Sequence, residues 1–191
     1  MNMNRIKLTI VSIVVLSALG GSYAIAAGSA PKLSQSAGQK LGILQTAERS
    51  SDAAAARAFR AIEQLSGKSL GVDDMRLVNA PQGAYYLADG PEQVCVYIRS
   101  TTTPNSASCT SHESLAAGDP LIINDGMASG TALRVSALFP DGVQAADLAT
   151  SGDRQAMSFR ANLAVAVVRG KLDRLTWRGA DGSLREFKYG S

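Results

Sequence analysis

"AYYLADGPEQVCVYIRSTTTPNSASC", residues 84–109, holds the reading that decides the fold class of this 191-residue chain. Val94, Val96 and Ile98 alternate with Cys95, Tyr97 and Arg99, a period of two that gives a strand over Gln93–Arg99 two distinct faces. Ala84–Ala88 is a second short apolar run. Ala88-Asp89-Gly90-Pro91 between them supplies residues that tolerate turn geometry. "STTTPNSAS" downstream reads as a polar loop, with Pro104-Asn105 at a turn.

The same alternation of short strands and turns runs outward from this stretch. Met75–Val78 precedes it. Leu121–Asn124, Ala132–Phe139, Gln144–Ala149, Gln155–Arg160, Leu163–Val168, Asp173–Trp177 and Ser183–Tyr189 follow. Asn124-Asp125-Gly126, Pro140-Asp141-Gly142, Ser151-Gly152-Asp153 and Ala180-Asp181-Gly182 supply the turns, each with a residue that accepts positive φ. Strands this short at this spacing predict a mainly β domain over 71–191, an antiparallel β-sandwich or a small barrel. No ten-residue helical stretch lies among them to build βαβ units. An apolar fraction of 46% is enough for a core, and eighteen glycines with only 5% aromatics fit turn-rich β structure better than a helical bundle.

Before Asp74 the pattern is helical. In "SSDAAAARAFRAIEQLSGK", Ala55, Ala58, Phe59, Ile62 and Leu65 recur at helical spacing; Ser51 or Asp52 can cap the start and Gly67 the end. The apolar stripe is narrow and Ala-rich, so this helix must lie on something larger. "LGILQ", 41–45, reads as a docking segment or a short helix of its own. "GSAPKLSQS", 28–36, is small and polar, a linker. Residues 31–70 thus form a linker and helical spacer.

The N-terminus has two readings. Arg5 and Lys7 precede Leu8–Leu19, and Ala24-Ile25-Ala26 offers the small residues of a signal-peptidase site. Leu8–Ala27 also holds no charge and is long enough to span a bilayer as a single apolar helix. Both place everything after residue 30 outside the cytoplasm. The uncleaved membrane anchor is favoured because the apolar run continues through Tyr23–Ala27; a secreted protein cut near Ala26 is the alternative.

Export decides the reading of the two cysteines. Thirteen residues separate Cys95 from Cys109, which excludes a C-x-x-C redox motif, and a zinc site would have His112 as a third ligand and no fourth. An even cysteine count in an exported chain points instead to a structural disulfide closing the polar loop. Charge excludes a nucleic-acid partner. Without Arg5 and Lys7 the net balance falls from +3 to +1, residues 71–126 carry seven acids against two bases, and residues 169–191 carry six bases against three acids. No block is basic enough to track phosphates.

The order "GIL", "GVDDMR", "PQGAYYLADGPEQVCVYI", "SC", "ALFPDGVQAADLATSGD", "FRANLAVAVV", "LTWRGADGS" resembles a group of uncharacterised exported or membrane-anchored actinobacterial proteins with small β domains. The resemblance covers residues 41–189 and implies a Cys-bearing strand, a "PDGV" turn and a C-terminal hairpin. The chain departs from the group after "GIL", where Gln45-Thr46-Ala47-Glu48 stands in place of a basic stretch. The resemblance implies location and fold and assigns no catalytic residue.

Catalytic patterns are sparse. His112-Glu113 is the one His–carboxylate neighbour pair, and adjacent side chains point apart. There is no G-x-S-x-G elbow. "GMASG", 126–130, lacks a following Lys-Ser/Thr for a phosphate loop. The acids at Asp141 and Asp181 are too few for calcium loops. The expectation is a non-catalytic, membrane-tethered module for binding, sensing or structural work at the cell envelope, with no cofactor or metal and an envelope protein or glycan as partner. A small extracytoplasmic hydrolase using His112 is the competing class.

Overall fold

The computed structural model describes residues 41–101, 103–127 and 132–190. Leu8–Ala27 and the 28–36 linker lie outside them, as does part of "GMASG". Three antiparallel sheets, three α-helices and a one-turn 3-10 helix at Val72–Asp74 make up the described chain. The first sheet is a meander of β1 (Glu48–Arg49), β2 (Arg76–Ala80), β3 (Gly83–Asp89), β4 (Gln93–Arg99) and β5 (Ser106–Ser111). Four hairpins follow and alternate between two further sheets. β6 (Leu121–Gly126) with β7 (Ala132–Leu138), and β10 (Ser158–Arg160) with β11 (Leu163–Arg169), build the second, ordered β10-β11-β7-β6. β8 (Ala146–Thr150) with β9 (Arg154–Ala156), and β12 (Leu172–Arg178) with β13 (Leu184–Lys188), build the third, ordered β13-β12-β8-β9. The helices are α1 (Gly42–Thr46), α2 (Ala53–Ser66) and α3 (His112–Ala117).

Side-chain alternation stacks these elements in four layers. On β4, Val94, Val96 and Ile98 meet Leu163 and Val165 of β11 and Leu121 and Ile123 of β6, forming a core between the first and second sheets. The other faces of β7 and β11, with Val135, Ala137, Ala164, Ala166 and Val168, meet Leu148, Leu175 and Trp177 of the third sheet. Cys95 and Tyr97 point the opposite way from Val94 and Val96, under Ala55 and Phe59 of α2. The sequence "LAVAVV" is apolar at every position because β11 is covered on both sides.

The fold is therefore a sandwich with a third sheet, not a barrel. Gln155–Arg160 is two strands rather than one. The chain leaves the third sheet after β9, buries Met157 between the second and third sheets, and joins the second as β10. "SASCTS" is a strand, not loop. It is half-buried along its length, so it shows no apolar face to read, and its place is set by pairing with β4. Asp125 belongs to β6 rather than to a turn, directly opposite Arg134 of β7.

Candidate functional site

Cys95 and Cys109 face each other across the β4–β5 ladder, with Cα atoms 4.0 Å apart, and form a disulfide. The bridge lies on the face covered by α2, where Cys95 is fully buried. Both thiols are thus committed to each other. Among the described residues no three His, Cys, Asp or Glu side chains gather as metal ligands.

Asp52 joins α2 to this sheet. Its carboxylate accepts the Ala54 and Ala55 N–H groups at 3.0 and 2.9 Å, as an N-cap should, and Gly67 ends the helix in the left-handed conformation at φ 68°. The same carboxylate accepts the Tyr86 hydroxyl at 3.3 Å and pairs with Arg99, whose guanidinium lies 5.5 Å from the Tyr86 ring centre. The Ala55 N–H, with Arg99 behind it, holds the Asp52 carboxyl below the usual range. Burial pushes the Tyr86 and Tyr97 phenols above theirs.

His112 opens α3, half-exposed. Its Nε2 lies 2.9 Å from the Gly90 carbonyl oxygen and 3.2 Å from Asp89 Oδ1, so the ring pins the β3–β4 turn to α3. Ser111 caps the same helix by accepting the Ser114 N–H. Among the described residues the ring has no hydrogen bond to a serine hydroxyl, which a Ser–His–Asp arrangement requires. Glu113 does not join it. A shallow cleft of about 380 Å³, with Leu148 and Val168 at its floor and Asp153 and Arg169 at its rim, does not include His112.

A different polar cluster is the most thoroughly built. Asn162, buried in the β10–β11 turn, donates from Nδ2 to the Phe139 carbonyl at 3.2 Å and to Asp141 Oδ1 at 2.7 Å. Its Oδ1 accepts the Ile43 N–H at 3.0 Å, while Asp141 Oδ1 accepts the Gly42 N–H at 2.9 Å. These two side chains satisfy the first amides of α1, which no residue of α1 itself caps. The hold lets Ile43 and Leu44 enter the core between the first and second sheets. The "LGILQ" segment is thus both a docking segment and a short helix. A second buried cluster joins the same two sheets. Arg134, with 0% of its side chain exposed, pairs with Asp125 Oδ2 at 2.7 Å and donates to the Gln82 carbonyl at 3.0 Å. Tyr85 and Ser136 share a 3.0 Å hydroxyl bond beside it, and burial raises the Tyr85 phenol.

Trp177 alternates in phase with Leu175 into the second core, against Phe139 with ring centres 5.8 Å apart. Asp181 accepts the N–H and hydroxyl of Ser183, closing the β12–β13 turn with Gly182 at φ 78°. Sequence reasoning missed Asn162 and Arg134. A lone Arg amid "ALRVSAL" signals a buried pair, whereas nothing in the local pattern marks Asn162 as the acceptor for a segment more than a hundred residues away.

No protein-family model, curated protein or solved structure matches this chain.

Proposed function

We propose that the chain is a membrane-tethered, extracytoplasmic β module that binds a partner at the cell envelope and does no chemistry of its own. The observation that carries this reading is the Cys95–Cys109 bridge, set on a buried face of the fold in a chain that opens with Arg5, Lys7 and the uncharged run Leu8–Ala27. Structural disulfides belong to oxidising compartments. The resemblance to exported or anchored actinobacterial proteins agrees with that location. The docking of α1 by Asp141 and Asn162 supports the tether: a pull on Leu41 meets the body of the domain, not a loose coil. The groups that a hydrolase would use support a structural role, since His112 braces a turn and both cysteines are bridged.

Membranes from cells making the full-length chain, washed with alkaline carbonate and treated with a thiol-reactive polymer with and without reductant, test the reading. The chain stays in the pellet and shifts in mass only after reduction. Chain released to the wash, or two thiols labelled without reductant, refutes it; a soluble chain beginning near Ala27 assigns the secreted form instead.

A further inference from the structure

Sheets end in edges, and the edges here are unequal. β1, β9 and β10 are two or three residues long, too short to template another strand. β5 and β6, six residues each, also end their sheets, but they lie against one another. β13 is different: five residues, last in the third sheet, with Leu184 71% and Phe187 42% exposed. It carries no proline and no bulge against β12.

The hydrogen-bond phase of β13 follows from its ends. Gly179 N–H donates to the Ser183 carbonyl and Tyr189 N–H to the Asp173 carbonyl, on the register that pairs Trp177 with Arg185 and Leu175 with Phe187. Residues 183, 185, 187 and 189 therefore turn their backbone groups toward β12. Leu184, Glu186 and Lys188 turn theirs outward.

We propose that this edge pairs antiparallel with β13 of a second copy of the chain, with the twofold axis at Phe187. In a symmetric antiparallel pair one residue must face itself. Arg185, Glu186 or Lys188 at that point would set like charges against each other. A twofold at Leu184 runs into the 179–183 turn. Phe187 is the uncharged choice within the strand, and it places the rest in register. Glu186 then faces Lys188 of the partner subunit, twice over, and both residues have outward backbone groups to exchange. Arg185 faces the ring of Tyr189. The two Phe187 rings meet on the side of the second core, against which Tyr189 already packs. A single strand pair is a small interface, of the size class of weak, transient contacts. The inference goes beyond the envelope-binding reading and does not depend on where the domain is anchored.

Sedimentation of the full-length chain in detergent micelles, across a concentration series, tests it together with site-specific crosslinking. Wild type dimerises. Glu186→Lys and Lys188→Glu each weaken the dimer at least tenfold, and the double exchange restores it to near the wild-type constant. Phe187→Cys yields a covalent dimer on mild oxidation, whereas Leu184→Cys does not, because only the residue on the axis meets itself. A monomer at all concentrations overturns the proposal. So do single charge reversals without effect, a double exchange no better than either single, or Leu184→Cys crosslinking as readily as Phe187→Cys. Amides of Leu184, Glu186 and Lys188 that are already protected in a monomeric chain also overturn it, and assign the edge to another segment of the same molecule.

Discussion

Asn162→Ala removes the bond network that holds the helical segment to the sheets, and its cost can be worked from three contacts. The amide bonds Ile43 N–H at 3.0 Å, the Phe139 carbonyl at 3.2 Å and Asp141 at 2.7 Å. At a net value of about 1 kcal/mol each, these sum to about 3 kcal/mol. Ile43 is buried, so its stranded N–H raises the loss toward about 4 kcal/mol. Burial of Ile43 and Leu44, at about 1.5–3 kcal/mol each, still favours docking of α1, so the segment loosens without leaving. Urea unfolding of the full-length chain should show a lower midpoint with an unchanged slope. Hydrogen exchange should show faster opening at Gly42 and Ile43 with the sheets unaffected. Asn162→Asp separates the terms: it keeps the acceptor for Ile43 but sets a second carboxylate beside Asp141. That variant is destabilised at pH 7 and recovers in part as pH falls toward about 4, because two carboxylates in contact raise one of the pair above its ordinary value and it takes up a proton there. An Asn162→Ala protein within about 0.5 kcal/mol of wild type would refute the assignment, because that is the scatter of ordinary surface changes.

Reducing Cys95–Cys109, or replacing both by serine, should lower stability by about 3 kcal/mol as read by denaturant midpoint. Trp177→Ala should cost about 3–5 kcal/mol by the same assay, since the ring is buried against Phe139. Asp52→Ala should cost about 1 kcal/mol as a lost helix cap. Because the folded carboxyl of Asp52 sits below its ordinary value, its ionisation stabilises the fold above about pH 4 and the contribution fades as pH falls through the folded value; a stability–pH profile of Asp52→Ala should be flatter than wild type there.

Strands with one apolar face or none exposed were legible from sequence, because period-two patterning and Asp-Gly turns are local signals. β4, β11 and β12 are such cases. The helix between the Asp52 and Gly67 caps was legible in the same local way, from its helical spacing and end signals. β5 was not, since a half-exposed strand of Ser, Ala and Thr has the composition of a loop, and only its partner β4 gives it a place. The switch at Met157 was hidden for the opposite reason: β9 and β10 read as one continuous pattern, and only the packing of two sheets separates them. At the candidate sites, the cysteine pair followed from an even count and the export expected from the N-terminal sequence. The Asp141–Asn162 cradle did not, because its meaning lies in Gly42 and Ile43, far away along the chain.

On the proposed function, the folded domain stands outside the cytoplasm on a retained N-terminal anchor. Leu65 is exposed on α2, and the native cysteines are bridged, so Leu65→Cys supplies a single reactive thiol in the full-length chain. Intact cells are treated with a membrane-impermeant maleimide and then fractionated. The expected result is labelling before lysis, with the labelled chain at full length in the membrane fraction. Labelling only after lysis would place the domain in the cytoplasm and overturn the proposal.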